Sequence, residues 1–241
     1  MPSLSIVIPA YNEEKRLGAT LLEIARAVTS GALQDLRLTE VIVSDDGSTD
    51  LTVRIAEDWK TQLPVKIVQL PANRGKGAAV RAGMLAATGD LFLMYDADGA
   101  TPITEITKLF AALHDGADIA IGSRVTGTAE GLASMAPHRR FIGNVYRMLV
   151  AALIPGITDA ACGCKLFRAE AGKKLFSLQR IDRFAFDIEV LAIALRSGMK
   201  VREIPVKWTA MPESKVRLLR DGPEMFLCLL RLYLGGVKAS S

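Results

Sequence analysis

Short runs of Val, Ile and Leu, bounded by Gly, Asp, Asn and Pro, recur along the first half of the chain, with longer helix-compatible stretches between them. Leu4-Ser5-Ile6-Val7-Ile8, Val41-Ile42-Val43, Val65-Lys66-Ile67-Val68, Leu91-Phe92-Leu93-Met94-Tyr95 and Asp118-Ile119-Ala120-Ile121 predict five strands. A polar stretch from Glu13 to Thr29 predicts the first helix, and further helices fill the other gaps. Alternation of this kind predicts an α/β fold on a mostly parallel sheet whose strands are buried on both faces. In such open sheets ligands bind beyond the carboxyl ends of the strands. The segments 9–13, 45–48, 73–77 and 96–101 are therefore expected to converge on one edge.

The 241 residues, 50% of them hydrophobic, suffice for one substantial core. The expected division is one domain over 1–217 and an amphipathic helix with its tail over 218–241. The formal charge is only +4, but cations cluster at Arg139, Arg140 and Arg147 and again at Lys215, Arg217, Arg220 and Arg231. Clusters of that kind point to an anionic surface or substrate. A basic stripe interleaved with aromatics is missing, as is zinc-finger spacing, and His114 and His138 are the only histidines, so nucleic acid is not an expected partner. Cys162, Cys164 and Cys228 are too few for a disulfide framework and read as packing residues in a reducing compartment. Met1-Pro2-Ser3 leads directly into a strand-like run, so no signal peptide is expected. Without an uninterrupted run of ~18 apolar residues, no transmembrane helix is expected either.

Candidate chemistry sits in the converging segments. Asp96-Ala97-Asp98-Gly99 follows a buried strand and offers two hard carboxylates, the type of donor that selects Mg²⁺ or Mn²⁺. The same four residues are also ordinary turn chemistry. Pro9-Ala10-Tyr11-Asn12-Glu13 stands where a dinucleotide-binding glycine fingerprint would be, which removes the main support for hydride transfer. Arg74-Gly75-Lys76-Gly77 is not a P-loop, because glycine replaces the magnesium-binding Ser or Thr. Its glycines still let backbone approach a ligand, and Arg74 and Lys76 can meet phosphate at a helix N-terminus. A plain helix entrance is the alternative. Asp45 and Asp46 can accept hydrogen bonds from a base or ribose, although Asp46-Gly47-Ser48-Thr49-Asp50 also makes a good turn and N-cap.

Taken together, Ile6-Val7-Ile8-Pro9-Ala10-Tyr11-Asn12-Glu13-Glu14, Asp45-Asp46-Gly47-Ser48, Asn73-Arg74-Gly75-Lys76-Gly77 and Asp96-Ala97-Asp98-Gly99 resemble the family 2 glycosyltransferases of the GT-A fold in order and spacing. Asp98-Gly99-Ala100-Thr101, Gly122-Ser123-Arg124, Cys164-Lys165-Leu166-Phe167, Phe186-Asp187-Ile188-Glu189 and Glu203-Ile204-Pro205-Val206-Lys207-Trp208 resemble the dolichyl-phosphate glucosyltransferase and mannosyltransferase branch, and look closer to its glucosyl side. The resemblance runs from about Leu4 to about Arg217. Ala161 and Cys164 depart from the glutamine and phenylalanine expected there, and Ala100 stands where mannosyl enzymes commonly carry a metal-contacting glutamine.

The resemblance implies a metal-dependent, inverting transfer of glucose from UDP-glucose to a dolichyl or polyprenyl phosphate, with Mg²⁺ or Mn²⁺ as cofactor. GDP-mannose as donor, and a non-catalytic sugar-nucleotide-binding subunit, are the alternatives. Pro9, Ala10, Tyr11 and Glu13 would line the nucleoside pocket, Asp45 would contact the base, and Lys76 and Ala97 would lie near the sugar-nucleotide. Asp96 would face ribose or metal, and Asp98 would bind the metal. Arg124, Arg139, Lys215 and Arg217 are candidates for the clamp on the acceptor phosphate. Asp187 and Glu189 would orient sugar hydroxyls or act as base, against the alternative of an exposed acidic N-terminus on a helix from Asp187 to Arg196.

Two stretches fit a lipid acceptor. Segment 138–157 sets Phe141-Ile142 and Met148-Leu149-Val150-Ala151-Ala152-Leu153-Ile154 beside Arg139, Arg140 and Arg147. Met225 to Leu234 repeats that character, too short to span but suited to the membrane interface. A cytoplasmic protein, peripheral at the inner face of the membrane, is the expectation. Core packing or a homodimer contact is the alternative for both stretches.

Overall fold

The computed structural model describes residues 1–124, 148–209 and 218–235, the last with side chains from 226 to 234. Its centre is a seven-stranded sheet formed by β1 (Ser3–Ala10), β2 (Arg37–Asp45), β3 (Val65–Gln69), β4 (Leu91–Tyr95), β5 (Ile119–Ser123), β6 (Cys164–Arg168) and β7 (Val201–Pro205), in the order β3-β2-β1-β4-β6-β5-β7. Strands β3, β2, β1 and β4 run parallel, as do β5 and β7. Strand β6 lies antiparallel between β4 and β5, so its first residue arrives at the edge where its neighbours end.

Helices α1 (Leu17–Thr29), α2 (Thr52–Asp58) and α4 (Ile106–His114) cover one face, and α3 (Lys76–Ala86), α5 (Ala169–Leu178) and α6 (Phe186–Arg196) the other. The period-2 geometry of a strand decides which side chain serves which face. Leu4, Ile6 and Ile8 of β1 join Leu17, Leu21 and Ile24 of α1, whereas Val7 joins Val80 and Met84 of α3. Each fully buried Leu or Ile contributes about 1.5–3 kcal/mol of transfer free energy, so this double core dominates the stability. Helix α7 (Leu218–Gly235) inserts Leu229 into the second cluster, with Leu232 packed beside it, and so docks on the domain instead of trailing from it. Leu153, Ile154 and Ile157, at the end of the first apolar stretch, are buried in that same cluster.

All five expected strands are present, the fourth with the ends expected and the other four with shifted ends. The second is much longer than Val41 to Val43, and the first helix begins at Leu17 because the residues from Glu13 onward form a turn. Glu40, buried on β2, ties several strands together. It accepts from Ser5 Oγ, Lys66 Nζ, and both the backbone N–H and the hydroxyl of Thr88. Burial opposes its ionisation, but these donors outweigh burial and draw its pKa from 4.5 down to about 2. A depressed carboxylate stabilises above its unfolded pKa, and that contribution is lost as pH falls from about 4.5 toward about 2. Glu40→Gln is expected to cost about 2–3 kcal/mol at pH 7, with the gap to wild type narrowing below pH 4. Urea midpoints of both proteins at pH 7, 4 and 3 check this, and a gap constant with pH would overturn it.

Candidate active site

The loops that follow β1 and β2 are stitched to one another. The Asn12 N–H donates to Ser48 Oγ at 2.9 Å, the Thr49 N–H to Asn12 Oδ1 at 2.9 Å, and the Glu13 N–H to Thr52 Oγ1 at 2.7 Å. Pro9 and Ala10 end the buried strand β1, and Tyr11 stands at the rim. The Glu13 carboxylate holds Arg16 through two hydrogen bonds of 2.7 Å. Asp45 is fully buried and accepts the Ser48 N–H. Asp46 shapes the glycine loop, accepting from Asn73 Nδ2 at 2.9 Å and from the N–H groups of Arg74 and Gly75 at 2.8 and 2.7 Å. Gly75 has φ +121°, and a Cβ there would lie 2.6 Å from the Asp182 carbonyl oxygen, so glycine is required. Arg74 is turned to Asp182, which also holds Arg81.

Lys76 opens α3 and places its Nζ 2.7 Å from Asp96 Oδ1. Burial alone would raise the Asp96 carboxyl, but Lys76, with Lys165 and Arg124 behind it, overrides burial and keeps it below the ordinary value. The other Asp96 oxygen presses on Gly163, whose N-terminal neighbour Cys162 is buried beneath the sheet edge. Asp98, two residues further along the loop, is partly exposed and accepts the Ala100 N–H at 3.0 Å. The loop is held from behind, because Thr20 Oγ1 donates to the Ala97 carbonyl at 2.8 Å and the Tyr95 hydroxyl donates to the Thr101 carbonyl at 2.6 Å.

Lys165, in β6, is 2% exposed, and its Nζ donates to Asp187 Oδ1 at 2.5 Å and to the Cys162 carbonyl at 2.6 Å. Burial raises the Asp187 carboxyl despite the nearby Lys165 and Lys76. Glu189 is buried too, and accepts the Arg180 and Ile181 N–H groups at 3.0 and 2.8 Å. The two acids therefore do not form an exposed, solvated helix start. Arg124 follows β5 and grips Asp159 side-on, Nε and Nη2 donating at 2.7 and 2.6 Å. Its guanidinium carbon lies 5.6 Å from the centroid of the Trp208 ring. Arg139, Lys215 and Arg217 lie outside the described residues, as do Arg140 and Arg147.

Among the described residues no group of three or more His, Cys, Asp or Glu side chains could hold a metal ion. Asp98 with Asp96 is a partial set of hard oxygens. It fits Mg²⁺ or Mn²⁺, which complete their coordination with water and substrate phosphate. Packing of Gly163 makes the geometry of Asp96 a matter of one hydrogen atom, since a Cβ there would fall 1.9 Å from Asp96 Oδ2. Gly163→Ala is expected to lower turnover about 100-fold by displacing Asp96 by an ångström or more. Steady-state rates read against unfolding midpoints test it, and a folded variant with wild-type turnover would remove Asp96 from the working site.

Sequence reading alone gave no individual role to Lys165, Asp159 or Asp182. A lysine set among the apolar residues of Cys164-Lys165-Leu166-Phe167 was the available signal, because a lysine is rarely buried without a partner.

Residues 5–176 match the family Glycosyl transferase family 2. Over 89% of its length the chain is 39% identical to a dolichyl-phosphate beta-glucosyltransferase of Trichomonas vaginalis and covers 66% of that protein. Over 97% of its length it is 38% identical to the dolichyl-phosphate beta-glucosyltransferase of Homo sapiens, covering 76%. It thus spans about two thirds of the first relative and about three quarters of the second. The crystal structure of glucosyl-3-phosphoglycerate synthase from M. tuberculosis matches with a TM-score of 0.72 over 97% of this chain and 81% of that one, at 22% identity. The same enzyme in complex with Mn²⁺, UDP-glucose and phosphoglyceric acid matches with a TM-score of 0.71 at 22% identity, over 97% of this chain and 80% of that one. The structural likeness establishes the GT-A fold, and the sequence matches establish the lineage: this chain belongs to glycosyl transferase family 2, as a glycosyltransferase grouped with the dolichyl-phosphate beta-glucosyltransferases.

Proposed function

We propose that the protein transfers glucose from UDP-glucose to a dolichyl or polyprenyl phosphate, with inversion at the anomeric carbon and a requirement for Mg²⁺ or Mn²⁺. The observation that carries this reading is the gathering of Lys76, Asp96, Asp98 and Arg124 at one edge of the sheet. Relatives named for glucose and dolichyl phosphate support the sugar and the acceptor, and the neighbour solved with UDP-glucose and Mn²⁺ supports the nucleotide and the ion.

The reaction brings two anions together, so positioning and cations matter more than proton transfer. A lipid phosphate is already ionised at neutral pH and needs no strong general base. Its oxygen bonds to C1 of glucose while the bond from C1 to the diphosphate breaks, and the electron pair departs with UDP. One displacement turns an α-linked donor into a β-glucosyl phospholipid. Pro9, Ala10, Tyr11, Glu13 and Asp45 border the nucleoside in this reading. Lys76 and the N-terminal amides of α3 receive the diphosphate. Asp98, with Asp96, would hold the divalent cation, which supplies Lewis-acid stabilisation of charge growing on the leaving group. Asp187, fixed by Lys165, orients sugar hydroxyls. Arg124 is assigned to the acceptor phosphate, and the family resemblance adds Arg139, Lys215 and Arg217 to that clamp.

Among the described residues no helix is long and apolar enough to cross a membrane. Phe226, Leu227, Leu230, Tyr233 and Leu234 are exposed on α7 at helical spacing, beside the buried Leu229. That stripe supports peripheral attachment to the membrane that carries the acceptor.

The test is incubation of purified protein with detergent-dispersed polyprenyl phosphate, Mg²⁺ or Mn²⁺, and radiolabelled UDP-glucose or GDP-mannose in parallel. Chelator-sensitive label entering the organic phase from UDP-glucose alone is expected. Label from GDP-mannose alone would reverse the donor, and label from neither would overturn the acceptor.

A further inference from the structure

Trp208 is a large aromatic side chain 44% exposed at the rim of the site, where an apolar ring in water needs a reason. Its backbone is not loose. The Val206 N–H donates to the Ser123 carbonyl at 3.1 Å, the Lys207 N–H to Glu105 Oε2 at 3.1 Å, and the Thr209 N–H to the Ala100 carbonyl at 2.9 Å. Three anchors in four residues thus fix the indole between the end of β5 and the loop that carries Asp98. On one side its ring meets Arg124, whose Nε and Nη2 are committed to Asp159, so that the Nη1 edge of the guanidinium is turned away from that carboxylate. A cation and a rigid apolar plane, side by side within 5.6 Å, match a ligand that joins an anion directly to an apolar chain.

We propose that the Trp208 indole, seated beside Arg124 and tethered to the Asp98 loop through the Thr209–Ala100 hydrogen bond, contacts the first isoprene unit of the acceptor and so selects an isoprenyl phosphate. The inference rests on the acceptor class of the preceding subsection and adds the residue that reads the lipid next to its phosphate. A nucleotide sugar also joins a phosphate to a ring with C–H faces, and separate KM values for donor and acceptor distinguish the two ligands. Trp208 neither reacts nor binds the metal, and its loss costs acceptor affinity instead of chemistry.

Farnesyl phosphate, as a short dispersible acceptor, gives the measurement. Trp208→Ala is expected to raise its KM about tenfold, with the KM for UDP-glucose changed less than twofold and kcat at saturating acceptor largely kept. Trp208→Phe should recover most of the loss. A readout independent of turnover uses the fact that the chain has two tryptophans, the other being Trp59, which lies ahead of β3 at the opposite end of the sheet. In a Trp59→Phe background, farnesyl phosphate should shift the Trp208 emission to the blue, and inorganic phosphate should not. Unchanged acceptor KM in Trp208→Ala together with unresponsive emission, in an enzyme that does glucosylate farnesyl phosphate, overturns this inference alone. Equal increases in both KM values overturn it as well, since they signal a disturbed Asp98 loop. No transfer to farnesyl phosphate by the unsubstituted enzyme, together with none to polyprenyl phosphate, removes the acceptor reading and this inference with it.

Discussion

Asp98→Asn is expected to lower turnover by about 10²–10³-fold while the protein keeps its fold. Asparagine preserves the size of the side chain and an oxygen that can still accept the Ala100 N–H, so the local turn survives. What disappears is one negative charge in a donor set that has only two carboxylates among the described residues. The neighbouring Asp96 alone does not make up the loss, because its Oδ1 is paired with Lys76 Nζ at 2.7 Å and part of its charge is offset by that ammonium. Initial rates across a Mn²⁺ titration, with circular dichroism and an unfolding curve as controls, decide the matter. A variant that reaches the wild-type rate only at saturating Mn²⁺ would show that Asp98 tunes affinity for the ion without being needed for the step, and one with undiminished turnover at every Mn²⁺ concentration would remove the role.

Lys165→Met is expected to destabilise the protein by about 3–5 kcal/mol, the usual cost of leaving one member of a buried ion pair without its partner. The two side chains are 2% and 8% exposed, and Lys165 Nζ bridges Asp187 and the Cys162 carbonyl. Burial already pushes the Asp187 carboxyl upward, and loss of the ammonium pushes it further, so the variant would hold that acid protonated at higher pH. Removing both charges should be milder than removing one. Lys165→Met combined with Asp187→Leu is therefore expected to recover most of the stability and none of the activity. Urea denaturation of the two variants measures the coupling. A single variant within about 1 kcal/mol of wild type would mean that the pair contributes little to the fold, against the range expected for buried pairs.

Much of the architecture was open to sequence reading because it rests on local pattern. Leu91 to Tyr95 is a buried strand wherever it packs, and the acidic loop after it has to emerge at the carboxyl edge. Strands β6 and β7 were recognised only as blocks of family-like residues. Strand β6 pairs antiparallel with both β4 and β5, a mixed arrangement that alternation of strand and helix does not announce. Glu189 was expected to orient sugar hydroxyls or act as base, with an exposed acid at a helix start as the alternative, yet it is buried and closes the turn at Arg180 and Ile181 from within. Arg124 looked like a cation available to phosphate, and the fold supplied it with Asp159 from 35 positions along the chain.

By itself the sequence determined five of the seven strands, which loops share the sheet edge, and which polar and charged side chains those loops carry. Those properties follow from the side-chain period, from turn chemistry and from the donor atoms each residue carries. Only the tertiary structure decided the charge pairing of the site: Lys76 with Asp96, Lys165 with Asp187, Arg124 with Asp159 and Trp208. The physical reason is that partners 20 to 84 positions apart are brought together by strand order and burial, and a charge in a dry environment takes whichever opposite charge the fold places within reach.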